Sequence, residues 1–192
     1  MWRTLITFLL AVLLTGCGPM FESEYQGPAE GDSGHGSPAE LGVLLERRDA
    51  EEVLADRDRM IGEMTTELSR IVPGSRWLPN RDERSSHCGD FGSTDGNIYF
   101  SRNYVSEVPV SAALWPQAAQ AVIDIAARYG FTDVTGRTEN PTDDEAKDLT
   151  ISDAYGGRVA FGSMVAASLQ VTTGCYLTAE AKRKAREPAG PS

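Results

Sequence analysis

The chain opens with a single short run of apolar residues. Leu5 to Leu14 are apolar apart from Thr7, and Arg3 precedes them. A bilayer core of about 30 Å needs roughly 20 apolar residues, so this run is too short to cross it. Small residues and a cysteine follow, as at the cleavage site of an export signal. The pattern predicts a signal peptide over residues 1–16, and a short uncleaved anchor is the alternative.

A helical repeat of apolar residues occupies the segment before Pro73. Its members form one stripe: Leu54, Ile61, Met64, Leu68 and Ile71. Asp49 and Glu52 form a capping-box pattern at the start of this helix, and Pro73 ends it near Val72. We expect the helix to pack on a sheet. A dimeric coiled coil is the alternative, and Arg57 in a seam position counts against it.

A second helix has the clearest pattern in the chain. Trp115-Pro116 places proline in its first turn, and Gly130 ends it. Its apolar residues lie on one face: Ala118, Val122, Ile125, Ala126 and Tyr129. We expect Phe131 to fold back on the last turn.

Alternating apolar residues predict strands in the second half of the chain. The strands cover about residues 97–105, 133–138, 149–151, 159–161 and 169–175. Asp95-Gly96 forms a turn into the first strand, and residues 154–157 form a hairpin turn. In the last strand Cys175 faces the same side as the apolar residues. Residues 77–95 and 139–148 are expected to be loops.

The order of these elements predicts an α+β fold, in which two helices pack on one face of a mostly antiparallel sheet of about four strands. Glycine and proline are frequent before the first helix, so residues 17–45 are expected to be a flexible tether. Residues 46–180 would form a single α+β domain and residues 181–192 a disordered C-terminal tail. Its basic run is interpreted as a solvated helix end or tail: Lys182, Arg183, Lys184 and Arg186.

The charge balance excludes some partners. The 192 residues include 18 Lys and Arg against 28 Asp and Glu, which gives a formal net charge of −10. An acidic surface argues against binding nucleic acid or anionic phospholipid through a basic face. We therefore expect no nucleic-acid partner.

The last residue of the apolar run and the three residues after it form a cleavage and lipidation motif. Leu14, Thr15, Gly16 and Cys17 match the lipobox of bacterial lipoproteins. The match implies that the Cys17 thiol carries diacylglyceryl and that cleavage of the first 16 residues leaves 176. Each buried methylene of an acyl chain such as palmitate contributes about 0.8 kcal/mol, and two or more chains anchor a protein stably.

Two other cysteines remain, Cys88 and Cys175, which lie 87 positions apart. Outside the cytoplasm such a pair most simply forms a disulfide. Closing a loop of this size stabilises the fold by about 4–5 kcal/mol in the chain-entropy model. Two free thiols or a metal pair are the alternatives, and only His35 or His87 could assist a metal.

Three polar motifs suggest chemistry, and each has a simpler explanation. His87-Cys88 could provide a nucleophile, but catalytic Cys and His normally meet through the fold rather than as neighbours. Two acidic clusters follow: Asp90, Asp95 and Asn97, then Asp143, Asp144 and Glu145. The first lacks the EF-hand spacing for calcium, so turn chemistry explains it better. The second is expected to be a solvated loop, and we expect no metal or cofactor.

No catalytic signature identifies an active site. The sequence contains no P-loop, dinucleotide fingerprint, G-x-S-x-G elbow or H-E-x-x-H helix, and nothing selects a carboxylate pair for glycoside cleavage. Five aromatic residues are expected in the core rather than on a ligand platform: Trp77, Tyr99, Phe100, Tyr104 and Trp115. Trp77 is the one most expected at the surface, because prolines flank it.

Several motifs occur together across most of the mature chain. They are the lipobox, the polar tether, the helical run Arg59-Met60-Ile61-Gly62-Glu63-Met64, Pro73, Trp77, Cys88 and Thr173-Gly174-Cys175. In this combination the chain resembles the LppA-like lipoproteins of actinobacteria. The resemblance implies a cell-envelope lipoprotein, and it brings neither an enzymatic activity nor binding residues.

The sequence therefore predicts an exported protein that is lipid-anchored to the outer face of the bacterial cell membrane. A binding or assembly module is the favoured function. Its partners would be the membrane, through the lipid on Cys17, and an envelope protein, glycan or lipid. The alternative is an envelope hydrolase or a carrier of a small ligand or lipid, which would need a concave pocket with convergent polar groups.

Overall fold

A computed structural model describes residues 38–92 and 94–187. The predicted signal peptide, Cys17 and residues 17–37 of the predicted tether lie outside this part of the chain. Within it, helices α1 to α4 cover Pro38–Glu46, Ala50–Ile71, Trp115–Arg128 and Ala179–Arg186, and a 3-10 turn covers Gly89–Phe91. Strands β1 to β8 cover Leu78–Arg81, Arg84–His87, Asn97–Phe100, Asn103–Ser106, Asp133–Arg137, Lys147–Ser152, Arg158–Ser163 and Ala167–Thr172.

These strands form one antiparallel sheet in the order β1-β4-β8-β7-β6-β5, and β3 links the β2–β3 hairpin to β8. The strands β6, β7 and β8 form a regular meander. The register shifts between Pro79 and Arg81 in β1 and between Val134 and Gly136 in β5. Such irregularities at the outer strands oppose pairing with a strand of another chain.

The α+β class and the antiparallel sheet agree with the prediction, but four strands and two helices were too few. The predicted loop 77–95 contains β1 and β2, whose residues are all exposed, so no alternation of apolar residues marks them. The predicted strand 97–105 is two strands, because the chain between them turns at Ser101. The Ser101 Oγ accepts a hydrogen bond from the Val171 amide at 3.0 Å.

The main core lies between α2 and α3 on one side and the sheet on the other. Its buried residues include Met60, Ile61, Met64, Leu68, Trp115, Ala118, Val122, Leu149, Ile151, Val159, Phe161, Leu169 and Val171. The Trp115 and Phe161 rings stack with centroids 5.2 Å apart, and the Trp115 Nε1 donates to the Thr138 carbonyl at 2.9 Å. The α2 helix therefore packs within its own domain, as predicted, rather than in a coiled coil.

The predicted ends of α3 are confirmed, whereas the predicted cap of α2 is not. Pro116 lies in the first turn of α3, and Gly130 has a positive φ of 89°. The Phe131 amide donates to the Ala126 carbonyl at 3.1 Å, which is the predicted fold-back. The predicted capping box of α2 is wrong, because the Asp49 side chain makes no cap hydrogen bond. Its carboxylate instead pairs with Lys182 at 2.8 Å.

Two segments expected to be unstructured are helical. The α1 helix occupies part of the predicted tether, and its Leu44 is fully buried. The α4 helix occupies part of the predicted tail, and the buried Lys182 also donates to the Arg47 carbonyl. Helices this short are marginal alone and depend on tertiary packing, so local sequence gives little sign of them.

A second hydrophobic cluster joins these two helices. Its buried members, which we call the disulfide cluster, are Leu44, Cys88, Cys175 and Leu177, and Ala181 of α4 packs against them. The predicted disulfide between Cys88 and Cys175 is present, with Cα atoms 5.8 Å apart. Cys175 lies beyond the end of β8 rather than within it. Among the described residues, no helix has the length and apolar character needed to span a membrane.

Candidate functional site

A partly enclosed pocket of about 140 Å³ opens between the start of α2, the end of α3 and the β6–β7 turn. We call it the tyrosine pocket, and the lining residues important here are Arg48, Asp56, Met60, Phe131, Asp153, Tyr155, Val171 and Tyr176. Met60, Phe131 and Val171 are buried and belong to the main core. The pocket thus combines an apolar base with charged and phenolic groups.

The β6–β7 turn holds one wall of this pocket. The Asp153 Oδ1 accepts hydrogen bonds from the amides of Tyr155 and Gly157, at 2.8 and 2.6 Å. Gly156 adopts a positive φ of 85°, which favours glycine. The predicted hairpin turn is therefore confirmed, and it presents Tyr155 with 52% of its surface exposed.

Arg47 connects the tyrosines to the disulfide. Its guanidinium lies 4.9 Å from the ring centroids of both Phe91 and Tyr155, within cation–π range. Its Nη1 donates to the Cys175 carbonyl at 2.8 Å. The Tyr155 and Tyr176 rings meet edge to face with centroids 6.1 Å apart. These contacts fix both rings relative to the disulfide cluster.

The run Thr173-Gly174-Cys175 supports the same wall. The Thr173 Oγ1 accepts from the Tyr99 amide at 3.0 Å and donates to the Gly174 carbonyl at 2.8 Å. A Cβ on Gly174 would lie 2.2 Å from the Tyr155 carbonyl oxygen. Only glycine therefore lets the β6–β7 turn approach this closely.

Two ionisable side chains of the pocket, Asp56 and Tyr176, have pKa values shifted by their surroundings. Arg48 and Asp56 pair at 2.7 Å, and the hydrogen bond from Arg48 lowers the pKa of the Asp56 carboxyl. A general acid at neutral pH needs a raised carboxyl pKa instead. Burial and then the Asp153 charge raise the pKa of Tyr176 to about 12. Its phenol therefore stays neutral and can donate a hydrogen bond.

A larger and more open groove of about 1060 Å³ lies between α2 and α3. The Glu63 carboxylate crosses it and accepts from the Tyr129 hydroxyl at 2.7 Å and from Arg128. The large apolar residues along the groove, Ile71 and Ile125, are buried in the main core. The groove is more open to solvent than the tyrosine pocket and would enclose a small ligand less completely, so the tyrosine pocket is the better candidate site.

The polar motifs near Cys88 have structural roles. Cys88 is bonded to Cys175 and is not a free nucleophile. The Asn97 Nδ2 donates to the Asp95 carbonyl at 3.1 Å, and the Asn97 backbone pairs with Tyr176. Turn and ladder hydrogen bonds thus account for these residues. No group of three or more His, Cys, Asp or Glu within residues 38–92 and 94–187 is arranged to hold a metal ion.

The second acidic cluster folds around a buried lysine. Lys147 is 1% exposed, and its ammonium donates to the Asp143 and Glu145 carbonyls at 3.4 and 3.3 Å. The Glu145 carboxylate accepts from the Thr142 amide at 2.9 Å, and this bond lowers the pKa of Glu145. The expectation of a solvated loop is confirmed for Asp143, Asp144 and Glu145, which are all exposed. The backbone carbonyls of this loop also solvate the buried Lys147.

The aromatic residues divide between core and pocket in a way the sequence did not show. Trp115 is buried as expected. Trp77, the member of this set most expected to be exposed, is partly buried against the main core with its ring 6.3 Å from Phe161. Tyr155 and Tyr176 were overlooked, since one lies in a turn and the other follows Cys175. Only the fold brings them together.

Three comparisons relate the chain to known proteins. The family model LppA, described as a lipoprotein confined to pathogenic Mycobacterium, matches residues 35–179. The crystal structure of lipoprotein LppA from Mycobacterium tuberculosis is similar with a TM-score of 0.61 and 17% identity, over 79% of this chain and 90% of that one. A DUF4853 family protein from Actinomyces odontolyticus gives a TM-score of 0.50 and 15% identity, over 76% and 74%. No curated protein matches the sequence. At these identities, the two structures establish the fold.

Proposed function

Because the chain belongs to the LppA lipoprotein family, we propose that it is a lipid-anchored binding module of the bacterial cell envelope, with the tyrosine pocket as its ligand site. The family supports an exported, envelope-associated protein. The lipobox at Leu14 to Cys17 supports the anchor. The pocket supports binding, since it is the place where charged and aromatic groups converge on an apolar base.

The observation that carries the proposal is the construction of the pocket wall. Arg47, Gly174 and the Asp153 turn all serve to place Tyr155 and Tyr176 beside the Arg48–Asp56 pair. A tyrosine in an ordinary solvated turn does not need three separate sets of contacts to hold it in place. Such a fixed aromatic wall is pre-organised for a ligand, because less side-chain entropy is lost on binding.

The size and chemistry of the pocket favour a single sugar unit of an envelope glycan. At about 140 Å³ it holds one small ring and leaves no room for an acyl chain. The C–H face of a sugar ring packs on a tyrosine ring, while its hydroxyls can bond both donors and acceptors. Arg48 supplies donors, Asp56 supplies acceptors, and the neutral Tyr176 hydroxyl supplies either.

A titration of the mature protein with a panel of monosaccharides tests the ligand site. We expect glucose, galactose, arabinose or N-acetylglucosamine to shift the NMR signals of Tyr155, Gly157, Thr173 and Tyr176. Tyr155→Ala should weaken that binding at least about tenfold, a loss of roughly 1.4 kcal/mol. Val134→Ala, on the exposed edge strand β5, is the matched control and should change nothing. Shifts confined to other surfaces, or binding indifferent to Tyr155, would refute the site.

Detergent partitioning of whole cells tests the anchor separately. We expect Cys17→Ala to move the protein from the detergent phase to the aqueous phase if the signal is still processed, or to leave an uncleaved precursor if it is not. Cys17 is not needed for the disulfide, because Cys88 and Cys175 pair with each other. A processed variant that remains in the detergent phase would argue against lipidation.

A further inference from the structure

A second cavity, of about 330 Å³, adjoins the tyrosine pocket. We call it the arginine subsite, and its important lining residues are Arg57, Glu83, Arg84, Ser85, Tyr99 and Phe100. Arg57 lines both cavities. The Thr173 amide, in the wall of the tyrosine pocket, donates to the Tyr99 carbonyl at 2.9 Å, and the Tyr99 amide donates to the Thr173 Oγ1 at 3.0 Å. A shared side chain and two hydrogen bonds thus hold the two cavities next to each other.

Arg57 forms the boundary between the two cavities rather than a free binding group. Its side chain is only 4% exposed, and its guanidinium pairs with Asp58 at 2.7 Å and with Glu83. Removing one partner of such a buried pair leaves an uncompensated charge, which is strongly destabilising. The Arg57 charge is therefore already balanced, and an anionic ligand in the subsite needs another cation.

Arg84 supplies that cation. It is exposed on β2, and its guanidinium carbon lies 3.8 Å from the centroid of the Phe100 ring. Within residues 38–92 and 94–187 its side chain makes no hydrogen bond and no ion pair. A guanidinium stacked on a ring keeps the N–H donors at its edge free, and its planar fork fits a carboxylate with two parallel hydrogen bonds. The stacking also fixes the group, so less side-chain entropy is lost on binding.

The neighbours of Arg84 suit the hydroxyls of a sugar ring. Arg84 pairs with Phe100 across β2 and β3, and Ser85 pairs with Tyr99 in the same way. Burial and then the Glu51 charge raise the pKa of Tyr99, so its hydroxyl stays neutral. The Ser85 and Tyr99 hydroxyls can each donate or accept a hydrogen bond, as sugar hydroxyls do. The subsite therefore combines one free cation with groups of the kind that bind a sugar.

The charges around the subsite favour a carboxylate over a phosphate. Glu83 lies in the wall with its side chain 50% exposed. Its charge opposes a phosphate, which carries roughly two negative charges at neutral pH, more strongly than a carboxylate with one. The net charge of −10 for the whole chain acts in the same direction. A single carboxylate opposite Arg84 is the anion that these surroundings fit best.

We propose that the arginine subsite binds a second sugar unit, a uronic acid, joined by a glycosidic bond to the unit in the tyrosine pocket. The proposal rests on the proposed function of that pocket and names its ligand as an acidic disaccharide unit of an envelope glycan. Arg84 pairs with the carboxylate, and Ser85 and Tyr99 bond the ring hydroxyls. Arg57 lies beneath the bond between the two units.

Calorimetric titration of the mature protein with matched disaccharides tests this proposal. One pair is glucuronic acid or galactose joined to N-acetylglucosamine, and the other is glucuronic acid or glucose joined to glucose, with the same linkage within each pair. In at least one pair the acidic member should bind at least about tenfold more tightly, as a charge-assisted bidentate contact provides. Arg84→Gln should reduce its affinity to that of the neutral member. Arg76→Gln, at another exposed arginine, removes the same charge and should preserve the preference.

NMR of the same titrations separates this proposal from the proposed function. The acidic member should shift the amide signals of Ser85 and Phe100 as well as those of Tyr155 and Gly157. Shifts at Tyr155 and Gly157 alone would overturn the arginine subsite and leave the tyrosine pocket standing. The absence of shifts at Tyr155 and Gly157 would overturn both.

Three results of the calorimetry would also overturn the proposal. The first is equal affinity of the acidic and neutral members in both pairs. The second is a preference for the acidic member that survives Arg84→Gln or is lost equally in Arg76→Gln. The third is stronger competition against the acidic member by glucose phosphate than by glucuronate, which would contradict the assignment to a carboxylate.

Discussion

The main core and the disulfide cluster stabilise the same domain in different ways. The main core buries many residues from two long helices and three regular strands. The disulfide cluster buries four residues, which come from three separate stretches of the chain. It relies on a covalent bond and on charged contacts such as that of Lys182 with Asp49. The comparison shows that a region too small to be stable by apolar burial can be fixed by cross-links.

The two regions also differ in which part of the tyrosine pocket they hold in place. The main core supplies the apolar base of the tyrosine pocket through Met60 and Val171. The disulfide end supplies the polar wall, through Arg47 and the segment around Gly174. The candidate site lies where the two meet, so it depends on both.

The largest expected effect is on the main core. Phe161→Ala should lower the free energy of unfolding by about 3–5 kcal/mol, because it removes the ring that stacks on Trp115 at 5.2 Å. Urea unfolding checks this. Val165→Ala is the matched control, and at 83% exposure it should change stability by less than about 0.5 kcal/mol. Equal effects at the two positions would contradict the assignment of the core.

Removal of the disulfide should have the next largest effect. The double variant Cys88→Ala with Cys175→Ala should lose about 2–5 kcal/mol, because the unfolded chain regains the freedom of an 87-residue loop. Urea unfolding of the variant and the parent gives the difference. A loss below about 1 kcal/mol would show that the charged contacts alone hold the disulfide end.

Two glycine substitutions, one at the disulfide end and one in α2, test the comparison of the two regions at single residues. Gly174→Ala should cost about 1–3 kcal/mol, since its Cβ would lie 2.2 Å from the Tyr155 carbonyl oxygen. Gly62→Ala, in the middle of α2 with nothing within 4 Å of the new Cβ, should instead stabilise by about 0.5–1 kcal/mol. Thermal melts of both variants check the opposite signs. A stable Gly174→Ala protein would mean that the β6–β7 turn does not pack as described.

The smallest expected effect concerns pH. The pKa of Tyr176 is raised to about 12 in the folded protein, against about 10 in the unfolded chain. The unfolded state therefore loses its proton first, and stability should fall by about 1 kcal/mol between pH 10 and 11. Unfolding at several pH values checks the slope, and Tyr176→Phe should remove that part of it. An unchanged slope in the variant would contradict the burial of this phenol.

The sequence could predict elements whose signals are local. The α3 helix has Pro116, Gly130 and an apolar face within one segment, and the structure agrees with all three. The disulfide followed from counting cysteines. In contrast, β1 and β2 lack apolar alternation because both their faces are exposed.

The candidate site could not be predicted from the sequence either, and the reason is different. Tyr155 and Tyr176 are far from Arg48 in sequence, and only the folded chain brings the three together. The short helices α1 and α4 were overlooked because their partners are equally distant. Thr173-Gly174-Cys175 was visible as a motif, yet its purpose required the position of Tyr155.

The central claim is that the polar wall of the ligand site is held in place by the disulfide end of the domain, while the main core supplies its base. Hydrogen exchange of the parent and the Cys88→Ala, Cys175→Ala variant, monitored by mass spectrometry, tests it most directly. The account predicts faster exchange in α1, α4 and the segments around Tyr155 and Tyr176, with α3 and β6 to β8 still protected. Uniform loss of protection across the domain, or unchanged protection around Tyr155 and Tyr176, would contradict it.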